Sequence, residues 1–94
     1  MEIFVTGYGA ISSIGLNVNE TLNSLLLEKS GIQKGKLPHS ENFLVGEIHF
    51  SNTELIERFD LKTTGSRTGI LGAIAAKEAF HNHKIDPSIR TGVI

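Results

Sequence analysis

The 94-residue sequence contains no cysteine and no tryptophan, only two prolines, and no surplus of either charge. Without cysteine there are no disulfides, no thiolate metal sites and no thiol nucleophile. A formal net charge of −1 lacks the basic surplus of a nucleic-acid binder. No apolar run approaches the roughly 20 residues of a membrane-spanning helix, and no secretory signal opens the chain. A cytoplasmic protein is what remains by elimination. With 39% hydrophobic and 20% charged residues, the composition is that of an ordinary folded protein. The length allows one small domain, and no internal repeat, low-complexity segment or linker divides it.

What is present begins with Ile3-Phe4-Val5, an apolar, β-rich run suited to a strand covered on both faces. Gly7 and Gly9 follow as a structural turn in which no Cβ obstructs the backbone. Asn17 and Glu20 then form a capping-box-like pair for a helix over about 18–29. Val18, Leu22, Leu25 and Leu26 share one face of that helix, and Gly31 is its expected stop.

Residues 33–40 read as a surface loop and 43–50 as a strand. Ser51 and Glu54 supply a second capping box, opening a short helix with Leu55, Ile56 and Phe59 on its apolar face. A third helix is predicted over about 65–83. Gly69, Gly72, Ala73 and Ala76 give it small residues, while Ile70, Leu71, Ile74 and Phe80 give it bulk. Glycine within a helix costs about 1 kcal/mol relative to alanine, so two of them imply close approach to another backbone. Asp86-Pro87 marks a turn into an extended run from Ile89 to Ile94.

The register Val5-Thr6-Gly7-x-Gly9-x-x-Ser12-x-x-Gly15, then a helix closing Leu25-Leu26-x-x-Lys29-Ser30-Gly31-Ile32, resembles the N-terminus of the β-ketoacyl-acyl-carrier-protein synthases, the condensing enzymes of thiolase-like fold. Residues 1–32 carry most of the likeness. A weaker match covers 64–94, through Lys77-Glu78-Ala79 and Thr91-Gly92-Val93-Ile94, and Val45-Gly46-Glu47-Ile48 matches in outline.

The resemblance implies an α/β protein, with 1–94 as part of one thiolase-like α/β/α half containing a mixed sheet. The domain would be incomplete, stopping within the strand that begins near residue 91. The implied parent is an acyltransferase that condenses an acyl thioester with malonyl-carrier protein by decarboxylative Claisen chemistry, in fatty acid or polyketide-type synthesis. The segment itself is then inactive scaffold, since the family's cysteine and paired histidines match no residue of the chain. The implied partners are acyl-carrier protein and, for the parent, a second subunit in a homodimer or heterodimer. The isolated segment, with unfinished edges, is expected to associate with itself. Two other readings remain open: a non-catalytic chain-length partner subunit of the same fold, and a small nucleotide-binding α/β domain.

No residue receives a catalytic, cofactor-binding or metal role. A dinucleotide fingerprint needs glycine in the third slot after Gly7 and Gly9, where this chain has Ser12. His39, His49, His81 and His83 lack the spacing of a metal site, His81 and His83 pointing to opposite sides of a helix. Ser12 and Ser13 lack a nucleophile elbow and fit turn or cap roles. Lys62 and Arg67, at the start of the third helix, correspond to a neighbourhood where the family docks its acidic carrier protein. A solvated helix start is the simpler reading of that pair and the one favoured.

Overall fold

A computed structural model describes residues 1–62, 65–81 and 86–92. Among them lie three helices and one two-stranded antiparallel sheet, a mixed α/β arrangement. In chain order these are α1 (Val18–Leu26), β1 (Ile32–Lys34), β2 (Leu44–Gly46), α2 (Asn52–Arg58) and α3 (Arg67–Ala79).

The helix starts follow the sequence closely. Asn17 caps α1 by accepting from the Glu20 N–H at 2.8 Å. Ser51 and Glu54 make the reciprocal capping box of α2, and Ser66 caps α3 through the Gly69 N–H. The stops differ from expectation. α1 ends at Leu26, where Glu28 takes a left-handed φ of 56°. Lys29 N–H then reaches the Ser24 carbonyl at 2.9 Å and Glu28 N–H the Leu25 carbonyl at 3.1 Å, a Schellman-type closure. Glu28 therefore does the work assigned to Gly31, which instead lies against Ser13: a Cβ at Gly31 would stand 2.2 Å from Ser13 Oγ. Asp60, at φ 50°, ends α2 in the same manner, with Leu61 N–H on the Ile56 carbonyl.

The core lies between α2 and α3. Leu55, Ile70 and Ile74 are buried, ringed by half-buried Ile11, Phe50, Ile56, Phe59, Leu61 and Leu71. Ile70 and Ile74 are four apart and so occupy one face of α3.

Several expectations are corrected. Ile3, Phe4 and Val5 form no strand and are exposed by 85%, 71% and 85%. Among the described residues no strand lies beside them, because β1 and β2 pair with each other. α1 is turned from its anticipated orientation. Ser24 is its buried residue, while Leu22, Leu25 and Leu26 face outward. The reason is polar: Ser24 Oγ donates to the Ile14 carbonyl at 2.6 Å, and Thr21 Oγ1 meets Ser12 Oγ at 3.3 Å.

β1 occupies part of the expected 33–40 loop, and the expected 43–50 strand shrinks to β2, with Ile32 opposite Gly46, Gln33 opposite Val45 and Lys34 opposite Leu44. Nor do Gly69 and Gly72 meet a neighbouring backbone among the described residues. A Cβ at Gly72 would touch nothing within 4 Å, and one at Gly69 only Ser66 Oγ. The glycine pressed against α3 is Gly9, where a Cβ would stand 2.1 Å from the Ala75 carbonyl oxygen. The helix expected over 65–83 is described as Arg67–Ala79, capped by Phe80. His83 and the last two residues of the predicted terminal strand lie outside the described residues, and Thr91 and Gly92 are not in a strand. Asp86 does organise the expected turn, its carboxylate accepting from the Ser88 N–H and hydroxyl at 2.9 and 2.7 Å.

Candidate functional site

The two basic residues singled out by the sequence meet different fates. Arg67 is half-buried in the first turn of α3, with its guanidinium committed internally. Nη1 donates to the Phe50 carbonyl at 2.9 Å and to Asn52 Oδ1 at 3.0 Å, and Nη2 donates to the Ile48 carbonyl at 2.6 Å. One planar cation thus gathers the 48–52 segment onto α3, a task matched to the fixed fork of arginine. It also explains the shortened strand: the carbonyls of residues 48 and 50 bond a side chain rather than a neighbouring strand. Lys62 is exposed. Of the two, Lys62 is the one at the surface.

Beside Arg67 lies an open apolar cleft of about 340 Å³, walled by Leu37, Phe43, Val45, Ile48 and Leu71. One side is the 35–43 loop, organised by the Glu47 carboxylate. Oε1 accepts from the Lys36 and Leu37 backbone N–H groups at 2.8 and 3.1 Å, and Oε2 accepts from the buried Ser40 hydroxyl. The Ser40 hydroxyl bond and then the Lys36 N–H bond hold the Glu47 carboxyl below the usual carboxylate range. Ser40 Oγ also lies 3.1 Å from the Leu37 carbonyl, and Gly35 N–H bonds the Phe43 carbonyl at 3.0 Å, closing the loop onto the hairpin.

Glu78 ties the opening of the chain to α3. It accepts from the Ala10 N–H at 2.9 Å and from the Val18 N–H at 3.0 Å, so a carboxylate also sits at the positive end of α1. Gly9 is part of this joint. Its lack of a Cβ serves close contact with α3, and no described glycine has a positive φ. Gly7 borders the neighbouring hollow with Tyr8, Val18, Ile74 and Glu78.

None of these arrangements is a catalytic constellation. Ser12 Oγ accepts from the Ile14 N–H at 3.3 Å and pairs with Thr21, closing a turn. Among the described residues, no group of three His, Asp or Glu side chains could hold a metal ion, and no helix is long and apolar enough to cross a membrane.

Arg67, Glu47 and Glu78 each bond backbone far away in sequence, at separations of 17–19, 10–11 and 60–68 residues. Sequence reasoning gave none of them that role. A lone charged residue beside polar neighbours carries no local signal of a distant backbone partner. Comparison with known proteins found no matching family model, curated protein or solved structure.

Proposed function

We propose that residues 1–94 are the N-terminal scaffold segment of a β-ketoacyl-acyl-carrier-protein synthase of thiolase-like fold. The observation that carries this reading is the register of residue types across 1–32, from Val5-Thr6-Gly7-x-Gly9 to Lys29-Ser30-Gly31-Ile32.

The exposed surface supports it. The chain exposes 7716 Å², against about 5300 Å² for a compact domain of this mass. Its radius of gyration is 15.6 Å, against about 12 Å for a compact domain of this length. Much of the excess is apolar: Ile3, Phe4 and Val5 in the opening segment, Leu22, Leu25 and Leu26 on α1, and Phe43 and Leu44 on the hairpin. In a thiolase-like half such residues have somewhere to go, the run 3–5 into a central sheet and the α1 leucines against neighbouring layers. Exposed apolar patches of this extent otherwise mark contacts with another body. The isolated segment accordingly associates with itself, which sedimentation across a concentration series detects.

The chemistry implied by the resemblance belongs to the parent. A cysteine takes the acyl chain from a carrier protein, two histidines assist decarboxylation of malonyl-carrier protein, and the resulting carbanion extends the chain by two carbons. This segment contributes shape. Gly9, Glu78 and Arg67 fix the relative places of the opening segment, α1, the hairpin and α3.

The test is to express the whole reading frame carrying this chain and measure carbon dioxide release from malonyl-carrier protein together with 3-oxoacyl product. Both should appear with the parent and neither with residues 1–94 alone. A parent that makes no product and lacks the cysteine would instead be the non-catalytic partner subunit. Carbon dioxide release by residues 1–94, abolished by a substitution within them, would overturn the scaffold reading. For carrier-protein docking, Lys62→Glu in the parent should slow association at low salt, with the difference shrinking as salt rises. Unchanged association at low salt would remove Lys62 from the docking surface. Arg67→Glu is unsuitable for that question, since it breaks an internal clamp.

A further inference from the structure

On the side of the molecule formed by the 12–16 turn, the bend after α1 and the chain leaving β2, an open cleft of about 400 Å³ gathers Lys29, His49 and Arg58 from three separate segments. The Lys29 ammonium has no protein partner among the described residues, and neither does the hydroxyl of Ser13, a residue of the same cleft. Ser30 Oγ accepts from the Ile32 N–H at 3.2 Å, which leaves its own proton free to donate inward. Arg58 is positioned over the Phe50 ring at 5.4 Å, an apolar face that leaves its N–H edges without a partner among the described residues. His49 is held by Gln33, whose Nε2 lies 3.2 and 3.3 Å from the two ring nitrogens.

One carboxylate borders the cleft. It is Glu20, and its Oε2 accepts from the Leu16 N–H at 2.8 Å beside the start of α1. Glu54 and Glu57 border a second hollow, which Phe50 and Arg58 also line, and neither is among the residues of the first cleft. Two basic side chains with a surplus of donors therefore line a cavity bordered by one partly occupied carboxylate. A group with two negative charges and three acceptor oxygens matches that donor set better than a carboxylate does. The cavity is also larger than a lone oxyanion needs, and Ile14, Leu16 and Ile48 give it apolar wall.

We propose that this cleft binds a phosphate-bearing small molecule, with the phosphate on Lys29, Arg58 and the Ser13 and Ser30 hydroxyls and the organic body against Ile14 and Ile48. It is separate from the Gly7–Gly9 turn, where α3 fills the space next to Gly9. It is also independent of the synthase reading, because it is measured on the 94-residue chain without the parent.

The experiment is a titration of the ¹⁵N-labelled chain with glycerol 3-phosphate and, separately, inorganic phosphate, each against sodium chloride at equal ionic strength. Saturable shifts should appear at the Ser13, Lys29, Ser30 and His49 amides with the phosphates and not with chloride. Lys29→Gln should weaken binding several-fold and Lys29→Gln with Arg58→Gln at least tenfold, while Lys29→Arg retains it. Both altered side chains are exposed, so the remaining amide spectrum should keep its dispersion and serve as the control for folding. Tighter binding of glycerol 3-phosphate identifies an organic phosphate as the ligand class, and equal binding identifies the free anion. Shifts that grow linearly and match those in chloride, or a double variant that binds like the parent sequence, would overturn the proposal.

Discussion

The α2–α3 half and the α1 region draw on similar aliphatic side chains and use them in opposite ways. Leu55 and Ile70 are fully buried and Ile74 is 3% exposed, whereas Leu22, Leu25 and Leu26 are 51%, 60% and 73% exposed. Both regions begin with well-formed caps, so helix formation is not what separates them. The difference lies in what each helix meets. α2 and α3 meet each other through apolar side chains. α1 is held by polar links: Ser24 to the Ile14 carbonyl, Thr21 to Ser12, and Val18 to Glu78. Amphipathic spacing therefore establishes that a helix has an apolar face and leaves open whether this chain supplies its cover.

Substitutions can break that contrast, beginning where the effect should be greatest. Leu55→Ala empties the centre of the core and should cost about 2–5 kcal/mol in denaturant unfolding. A loss below about 1 kcal/mol would mean that α2 and α3 are not the stabilising half. Gly9→Ala drives a methyl group into the Ala75 carbonyl and should cost about 1–3 kcal/mol, typical of overpacking. If its stability matched the original, the opening segment would not be docked on α3 in solution.

The 35–43 loop gives a pH-dependent test. Because the folded state holds the Glu47 carboxyl below its ordinary value, its stabilising contribution is fully present above the unfolded carboxyl value. That contribution fades as pH falls through the lower, folded value. Glu47→Gln should remove this acid-side slope from stability measured between about pH 6 and 2.5, centred near and below the ordinary carboxylate range of about 4. Identical slopes for the two proteins would place the acid sensitivity elsewhere. The smallest effect belongs to α1: in solutions dilute enough to keep the chain monomeric, Leu25→Ala should change stability by less than about 0.5 kcal/mol, as at other exposed positions. A cost near that of Leu55→Ala would show that the outward leucines are covered in solution, and self-association would then be the first explanation to examine.

Local chemistry was the legible part of the sequence. The Asn17 and Ser51 caps, the Asp86 turn and the apolar face formed by Leu55, Ile56 and Phe59 all depend on residues within a few positions of each other. The orientation of α1 was not legible, because Ser24 and Thr21 prevail only through partners on the 12–16 turn. The stop of α1 was missed because glycine is the usual left-handed residue, and Glu28 takes that conformation only as part of a closed hydrogen-bonded turn. β1 was hidden in a polar stretch whose side chains are all exposed, so it has no alternation to read. Of the residues marked for a site, Lys62 lies on the surface, which a solvated helix start and a docking residue share. Arg67 could not be recognised as a clamp without knowing that the Ile48 and Phe50 carbonyls come within its reach.

The Glu78 carboxylate bears on the order in which the chain is assembled. Its partners Ala10 and Val18 precede it by 68 and 60 residues. At about 5–20 residues per second, translation needs about 3–14 s to deliver Glu78 after Ala10. During that interval the first segment exists without the helix on which it rests, while the capping of α1 and the Glu47-centred loop can form from residues already present. Loop closure adds a thermodynamic delay, since spanning 60 residues rather than the 11 between Lys36 and Glu47 costs about 1.5 kcal/mol more in chain entropy. The joint between the two ends should consequently close late in refolding. Glu78→Gln is then expected to speed unfolding and leave the refolding rate nearly unchanged, whereas equal changes in both rates would place that joint in the transition state.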